Sequence, residues 1–260
     1  MRMLHSRLVG IWKYKNLLRE LVIRDIKVRY RRSVLGLLWT LLFPLLTMII
    51  MTIVFSSLFH TLPHYAVYFL TGSILFSFHT EATTSAAMAI VNNAGLLKKI
   101  YIPKYLFPLS RVLSSFVNLG FAFVALLLVM VATGAALHPT LLLSFIQILY
   151  LFLFKSRLSL GLSALTVYFR DVNSLYGVIV LLWMYMTPIF YPITILQDKY
   201  TWVYEWNPMY YYIDYFRSLI LEGVIPGMAS NLICLLCGLV SLSVGALLFK
   251  RTQSRFVLYM

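Results

Sequence analysis

The chain of 260 residues is 61% hydrophobic and 12% charged, with a mean hydropathy of +0.86, whereas soluble domains run at roughly 45–50% apolar and about 25% charged. An ordinary soluble domain is excluded, and an integral membrane protein is indicated. The net charge of +14 does not indicate nucleic acid, because the lysines and arginines flank apolar runs instead of forming one solvated face.

Residues 10–32 are the first predicted element. Tyr14, Leu18, Val22, Ile26 and Tyr30 recur every fourth residue, with Ile11, Leu17 and Leu21 beside them. Lys13, Asn16, Glu20, Arg24 and Lys27 occupy the other side. Glu20 and Arg24 form a favourable i,i+4 pair. The pattern predicts an amphipathic helix in the headgroup layer, serving either as a topology anchor or in gating and substrate entry. The amino end is too charged, and too long before its first apolar run, for a cleavable signal peptide.

A hydrocarbon core of about 30 Å needs roughly 20 apolar residues as a helix. Six spans are predicted, at approximately 34–59, 65–90, 105–136, 141–168, 174–195 and 229–249. "HTLPH" (60–64) and "LHPT" (137–140) join two helical hairpins, the second turned by Pro139. Cys234 and Cys237 lie within the last apolar run and read as small lipid-embedded residues rather than a redox pair.

Orientation follows from the basic residues. Ten of them precede residue 33, Lys98, Lys99, Lys104 and Arg111 surround the second connection, and Lys250, Arg251 and Arg255 follow the last span. The first and third connections contain none, and the fifth, 196–228, mixes Lys199 and Arg217 with acids. Both termini and the second connection are therefore expected in the cytosol.

That connection, "NNAGLLKKIYIPKYLFP", predicts a short amphipathic helix over 92–102. Pro103 ends it, and Pro108 falls near the start of the next span, where proline costs least. Such a helix is either a rigid contact for a soluble partner or a basic loop whose lysines bind headgroups.

The sequence contains no phosphate-binding loop, H-E-x-x-H or Gly-x-Ser-x-Gly motif. His5, His60, His64, His79 and His138 are scattered and make poor metal ligands. Neither a cofactor nor a metal is expected in this chain. Lys155 and Arg157 fall near the middle of the fourth span, where each basic residue costs about 2.5–3.5 kcal/mol on insertion scales. Both must face water, an acid or a subunit interface, and Glu81 is the one acid deep enough to serve. They either contact an anionic substrate or are housed structurally.

Aromatic residues make up 16% of the chain. Trp183, Tyr185, Phe190, Tyr191, Tyr210, Tyr211, Tyr212 and Tyr215 cluster toward the outer half. As a group they suit a channel lining that offers many weak contacts to sugar rings, since conduction requires binding loose enough to release. Phe76, Glu81, Lys155 and Arg157 are further candidates for that lining.

"RDIKVRYRRSVLGLLWTLLFPLL" (24–46), the second connection, "LSALTVYFRDV" (162–172), "WMYMTPIFYP" (183–192) and "NPMYYYIDYFRSLILEG" (207–223) occur in that order. Together they resemble the membrane subunit of ABC transporters that export polysaccharides such as O-antigen, capsule and teichoic acid. The resemblance implies an all-α integral membrane protein of the inner (plasma) membrane with six transmembrane helices. It implies two such chains paired with two copies of an ATP-binding subunit that holds ATP and Mg, and a lipid-linked glycan as cargo. Residues 10–32 would be the interface helix, and 207–223 short helices re-entering the membrane from outside. Asn92, Leu96, Leu97, Lys98, Lys99 and Tyr101 would couple to the ATPase. Arg29, Arg31 and Arg32 are expected to meet the lipid diphosphate, since arginine suits bidentate phosphate recognition; anionic-lipid anchoring is their other role. Two departures from the family stand out: the tail "FKRTQSRFVLYM" lacks an acidic residue near its end, and Lys155 and Arg157 replace apolar or small residues. The same architecture would suit small lipophilic drugs or lipids as cargo. A polytopic enzyme acting on lipid-linked sugars is the reading from another class, and Glu81 has no evident partner carboxylate for it.

Overall fold

The computed structural model describes residues 13–31, 33–59, 64–195 and 200–259, and these form helices with no strand among them. Helix α1 spans Lys15–Tyr30. A 3-10 turn at Gly36–Leu38 leads into α2, Trp39–Phe55. Helix α3, Tyr65–Ala87, is followed by the short helices α4, Ala89–Asn92, and α5, Ala94–Lys99. Helix α6 covers Leu106–Thr133 and ends at Gly134, whose φ of +68° is the left-handed stop that glycine supplies cheaply. A 3-10 turn over Pro139–Leu143 opens α7, Ser144–Tyr168. Helix α8 is Val172–Met186, α9 is Trp202–Glu205, and α10 is Pro208–Arg217, extended by a π turn over Ser218–Glu222. Helix α11, Met228–Thr252, and the final turn α12, Phe256–Tyr259, close the chain.

Among the described residues, four helical stretches are long and apolar enough to cross a membrane: Gly36–Phe55, Leu106–Thr133, Pro139–Tyr168 and Met228–Arg255. The expected second and fifth spans differ from these for separate physical reasons. Helix α3 has the length, at 23 residues, but 15 of them are buried. It is the central post of the bundle, packed by α2, α6, α7, α8 and α10. Protein surrounds much of it, so it carries Thr71, His79 and Thr83 fully buried. Helix α8 is apolar, but its 15 residues reach only about 22 Å at 1.5 Å per residue. It stops before Pro188, which disfavours helix at Thr187.

The core has two parts. One surrounds α3 with Phe69, Leu75, Leu126, Leu151, Tyr212 and Phe216 among its members. The other joins Leu18 and Leu21 of α1, Leu97 of α5, Leu106 and Phe107 of α6, Val167 of α7, Phe249 of α11 and Phe256 of α12. The amino-terminal helix, the 94–99 turn and the tail thus meet at one end of the bundle. Helices α7 and α11 make the most extensive pairing. Gly161 and Gly245 allow their backbones to approach, since a Cβ on Gly161 would stand 3.3 Å from the Gly245 Cα.

Helix α1 lies against this body rather than purely in a headgroup layer. Its buried positions are Leu18, Leu21 and Asp25, so the packed face is rotated from the Tyr14–Tyr30 stripe and includes an acid. Asp25 is held by Arg111 of α6 at 3.3 Å and by Arg24 at 3.1 Å, with the Ser110 hydroxyl donating at 3.5 Å. The first residues of the expected helix, 10–12, lie outside the described residues.

Candidate functional site

At the basic end, α5 turns Leu97 inward and the next residues outward. Leu97 is buried beside Leu18, Leu21 and Phe256. Asn92, Lys98, Lys99 and Ile100 are exposed, Leu96 is half-buried, and Tyr101 is 98% exposed. The anchored leucine makes the turn a firm protrusion. The tail braces its far side. Lys104 donates to the Gln253 carbonyl and sits 5.5 Å from the centre of the Phe256 ring, and its burial pulls the ammonium pKa down. The Tyr168 hydroxyl donates to the Thr252 carbonyl at 2.9 Å.

A cleft of about 400 Å³ opens between the end of α1 and helices α2, α3 and α6. Arg29 crosses from α1 to form an ion pair with Glu81. The same carboxylate oxygen, Oε1, accepts from Ser115 Oγ at 3.1 Å and Asn118 Nδ2 at 2.7 Å. Glu81 lies six residues, or about 9 Å, from the basic end of α3, which puts the cleft in that half of the bundle. Arg31 is exposed nearby, and Arg32 lies outside the described residues.

This pairing corrects the expectation that Glu81 would serve Lys155. The two project from their helices in different directions, Glu81 toward α6 and Lys155 toward α8. Lys155 is fully buried, and its Nζ has no hydrogen-bond partner among the described residues. Two aromatic faces house it, with the centre of the Phe154 ring at 4.1 Å and that of Trp183 at 5.4 Å. His79 of α3 stands behind, edge-on to Trp183 at 4.6 Å. Arg157 is half-buried where α7 meets α11, and a side chain at Gly245 would collide with its carbonyl.

The predicted aromatic group divides. Tyr212 is fully buried: its ring stacks on Phe154 at 5.5 Å, its hydroxyl donates to the Cys234 carbonyl, and its own carbonyl accepts from Gln147. Phe76 and Tyr215 are buried as well. These three, with Lys155, pack the protomer and face no open space. Tyr185 is 58% exposed and contacts Phe190, which in turn contacts Tyr191. Tyr210 and Tyr211 are half-buried and in ring contact with each other. Trp183 is half-buried, donates to Asn207 Oδ1 at 2.7 Å, and borders a groove of about 360 Å³ with Trp202 and Trp206.

Arg217, read from sequence only as a loop charge, joins three segments. From α10 it donates to the Tyr68 hydroxyl and carbonyl of α3 and to the carbonyls of Pro188 and Ile189 in the connection after α8. Gly72 leaves room for it, since a Cβ there would stand 2.9 Å from Arg217 Nη2. The Asn207 side chain caps α10 by accepting from the Met209 N–H at 3.0 Å, with Pro208 in the first turn. Helix α10 is therefore clamped at both ends. Asn118 and Asp25 were also missed, because single polar residues in apolar runs carry no periodic signal.

This arrangement is that of an all-helical polytopic membrane protein with a basic protrusion at one end and a polar cleft among its helices. The chain belongs to the ABC-2 type transporter family, whose sequence profile matches residues 16–221. An O-antigen export system permease protein RfbA of Klebsiella pneumoniae is 26% identical over 243 residues, covering 90% of each chain. RfbA of Myxococcus xanthus is 27% identical, over 83% of this chain and 84% of its own. The polysialic acid transport protein KpsM of Escherichia coli is 22% identical, over 90% and 92%. The protein is thus the membrane domain of a transporter.

Proposed function

We propose that this chain is the membrane-spanning subunit of an ATP-driven exporter carrying a lipid-linked polysaccharide out of the cytosol across the inner membrane. The observation that carries the reading is the similarity, along 83–90% of the chain, to permeases named for O-antigen export. The chain crosses the membrane six times, with α3 shielded by its neighbours and α8 completed by the connection after it. Both termini and α5 face the cytosol, in keeping with the basic residues gathered at that end. Permeases of this family normally pair with an ATP-binding subunit. Two such subunits, holding ATP and Mg, serve two copies of this chain, and membrane lipid surrounds the assembly.

The protrusion Asn92–Tyr101 is the lever. Lys98, Lys99 and Tyr101 meet the ATP-binding subunit, while Leu97 transfers its displacement into the cluster shared with α1, α6 and the tail. Because α3 continues through α4 into α5, movement there also pulls on the central post. Tyr185, Tyr191, Tyr210 and Tyr211, with Trp183 behind them, form the sugar-facing surface, and Arg31 with Arg32 meets the diphosphate.

The test is Lys98→Glu with Lys99→Glu in the assembled exporter. Membrane insertion and nucleotide hydrolysis are expected to persist while export of surface glycan falls at least about tenfold, because charge reversal opposes docking. Export at the parental level removes both lysines from the contact.

A further inference from the structure

The cleft between α1, α2, α3 and α6 has its hydrogen-bonding chemistry only half used. Glu81 Oε1 accepts from Arg29, Ser115 and Asn118, and Oε2 accepts from none of the described residues. Asn118 spends its Nδ2 on that carboxylate, while its Oδ1 is buried without a partner among the described residues and the residue as a whole is 9% exposed. A buried carbonyl left unpartnered is costly, so a wall built this way calls for a donor. The rim supplies apolar faces: Trp39, 44% exposed, and Tyr30 both line the cleft.

Charge decides what fits. Arg29 is matched by Glu81, so the cleft is close to neutral, and a phosphate entering it would meet the carboxylate. What the walls leave open is acceptors, Asn118 Oδ1 above all, which call for donors from a ligand, and what the rim offers is a flat surface for C–H groups. A volume near 400 Å³ is in the range of small-ligand sites. We propose that this cleft binds an uncharged sugar ring carried on a lipid, with its hydroxyls donating to Asn118 Oδ1 and Glu81 Oε2 and one face stacked on Trp39. The proposal rests on the export reading and refines it: the cleft takes the sugar, and phosphate recognition falls to arginines outside it.

The purified full chain in phosphatidylcholine nanodiscs is photolabelled with an alkyl glucoside bearing a diazirine on its chain, and the labelled peptides are mapped. Labelling is expected within 39–47, 73–81 and 115–122, competed by dodecyl glucoside and not by dodecyl phosphate. Asn118→Leu is expected to reduce it about fivefold, the equivalent of one neutral hydrogen bond. Trp39→Ala, at a rim position whose loss opens no void in the core, tests the stacking face should the leucine variant fail to insert, and is expected to reduce labelling to a similar degree. Labelling unchanged in either variant that inserts, or dodecyl phosphate competing as well as the glucoside, overturns the proposal. A chain that sustains surface glycan in cells but is not labelled in the cleft overturns the sugar site alone. One labelled in the cleft but unable to export any glycan overturns the export reading and leaves the site standing.

Discussion

Arg217 holds its guanidinium carbon 3.6 Å from the centre of the Tyr68 ring, joining helix α10 to the central helix α3. Its nitrogens also reach the carbonyls of Pro188 and Ile189 at 2.8 and 3.0 Å. Five donors in a fixed fork can satisfy α3 and the connection after α8 at once, a geometry that a lysine does not reproduce. Helix α3 therefore carries the basic protrusion at one end and the clamped helix α10 at the other. Helix α5 is thus joined to α10 through α4, α3 and the Arg217 contacts.

Arg217→Met is expected to destabilise the chain by about 3 kcal/mol or more, since it strands two buried carbonyls at about 1–3 kcal/mol each. Denaturant titration of the solubilised chain measures this. Arg217→Lys should recover less than half of the loss. A lysine variant as stable as the parent would show that the fork geometry is dispensable.

Asp25 sets the position of α1. In Asp25→Ala, the lost contacts with Arg111, Arg24 and Ser110, at about 1.5–3 kcal/mol for a charged hydrogen bond, should release the helix from α6. A cysteine replacing Leu21 is then expected to react with a maleimide at least about tenfold faster than in the Asp25 parent, at 1.4 kcal/mol per decade. Equal rates would mean that Leu18 and Leu21 hold the helix without the acid.

Lys155→Met should be tolerated. The Nζ makes no hydrogen bond among the described residues, and methionine fills a similar volume between Phe154 and Trp183 with little strain. Stability is expected to equal or exceed that of the parent, with export within about twofold. A drop in export at normal abundance would place the ammonium on the substrate's path in another conformation.

Tyr212 and Tyr210 should separate. Tyr212→Ala removes a fully buried ring and its bond to the Cys234 carbonyl, at about 3–5 kcal/mol for a large aromatic, and should lower abundance in the membrane. Tyr210→Ala, at a half-buried position, should leave abundance intact and reduce glycan passage. Immunoblotting beside surface-glycan measurement distinguishes them, and normal abundance of Tyr212→Ala would contradict its placement in the core.

Much of the helical layout was legible in advance. The runs at 34–59, 105–136, 141–168 and 229–249 announce themselves because lipid accepts only apolar surface, so composition alone marks a lipid-facing helix. Helix α3 illustrates the limit of that signal: protein surrounds it, its polar residues are sheltered, and hydropathy undervalues it. The amphipathic stripe of α1 had the right period, but its packed face includes Asp25, an acid that any apolar-face rule assigns to water. Glu81 and Lys155 were joined by elimination, as the one deep acid and a deep base. Their partners depend on which neighbour each faces around its helix.

By itself the sequence determined the membrane class, the basic end and the family, because those depend on composition, the placement of charge and motifs in order. Only the tertiary structure decided that Arg29 takes Glu81, that Arg217 clamps α10, and that Tyr212 packs where Tyr210 is half-open. The physical reason is that hydrophobic patterning specifies how much surface a helix hides, whereas a hydrogen bond or ion pair requires partners within about 3 Å, and such proximity between residues 52 or 149 positions apart exists only once the helices have packed.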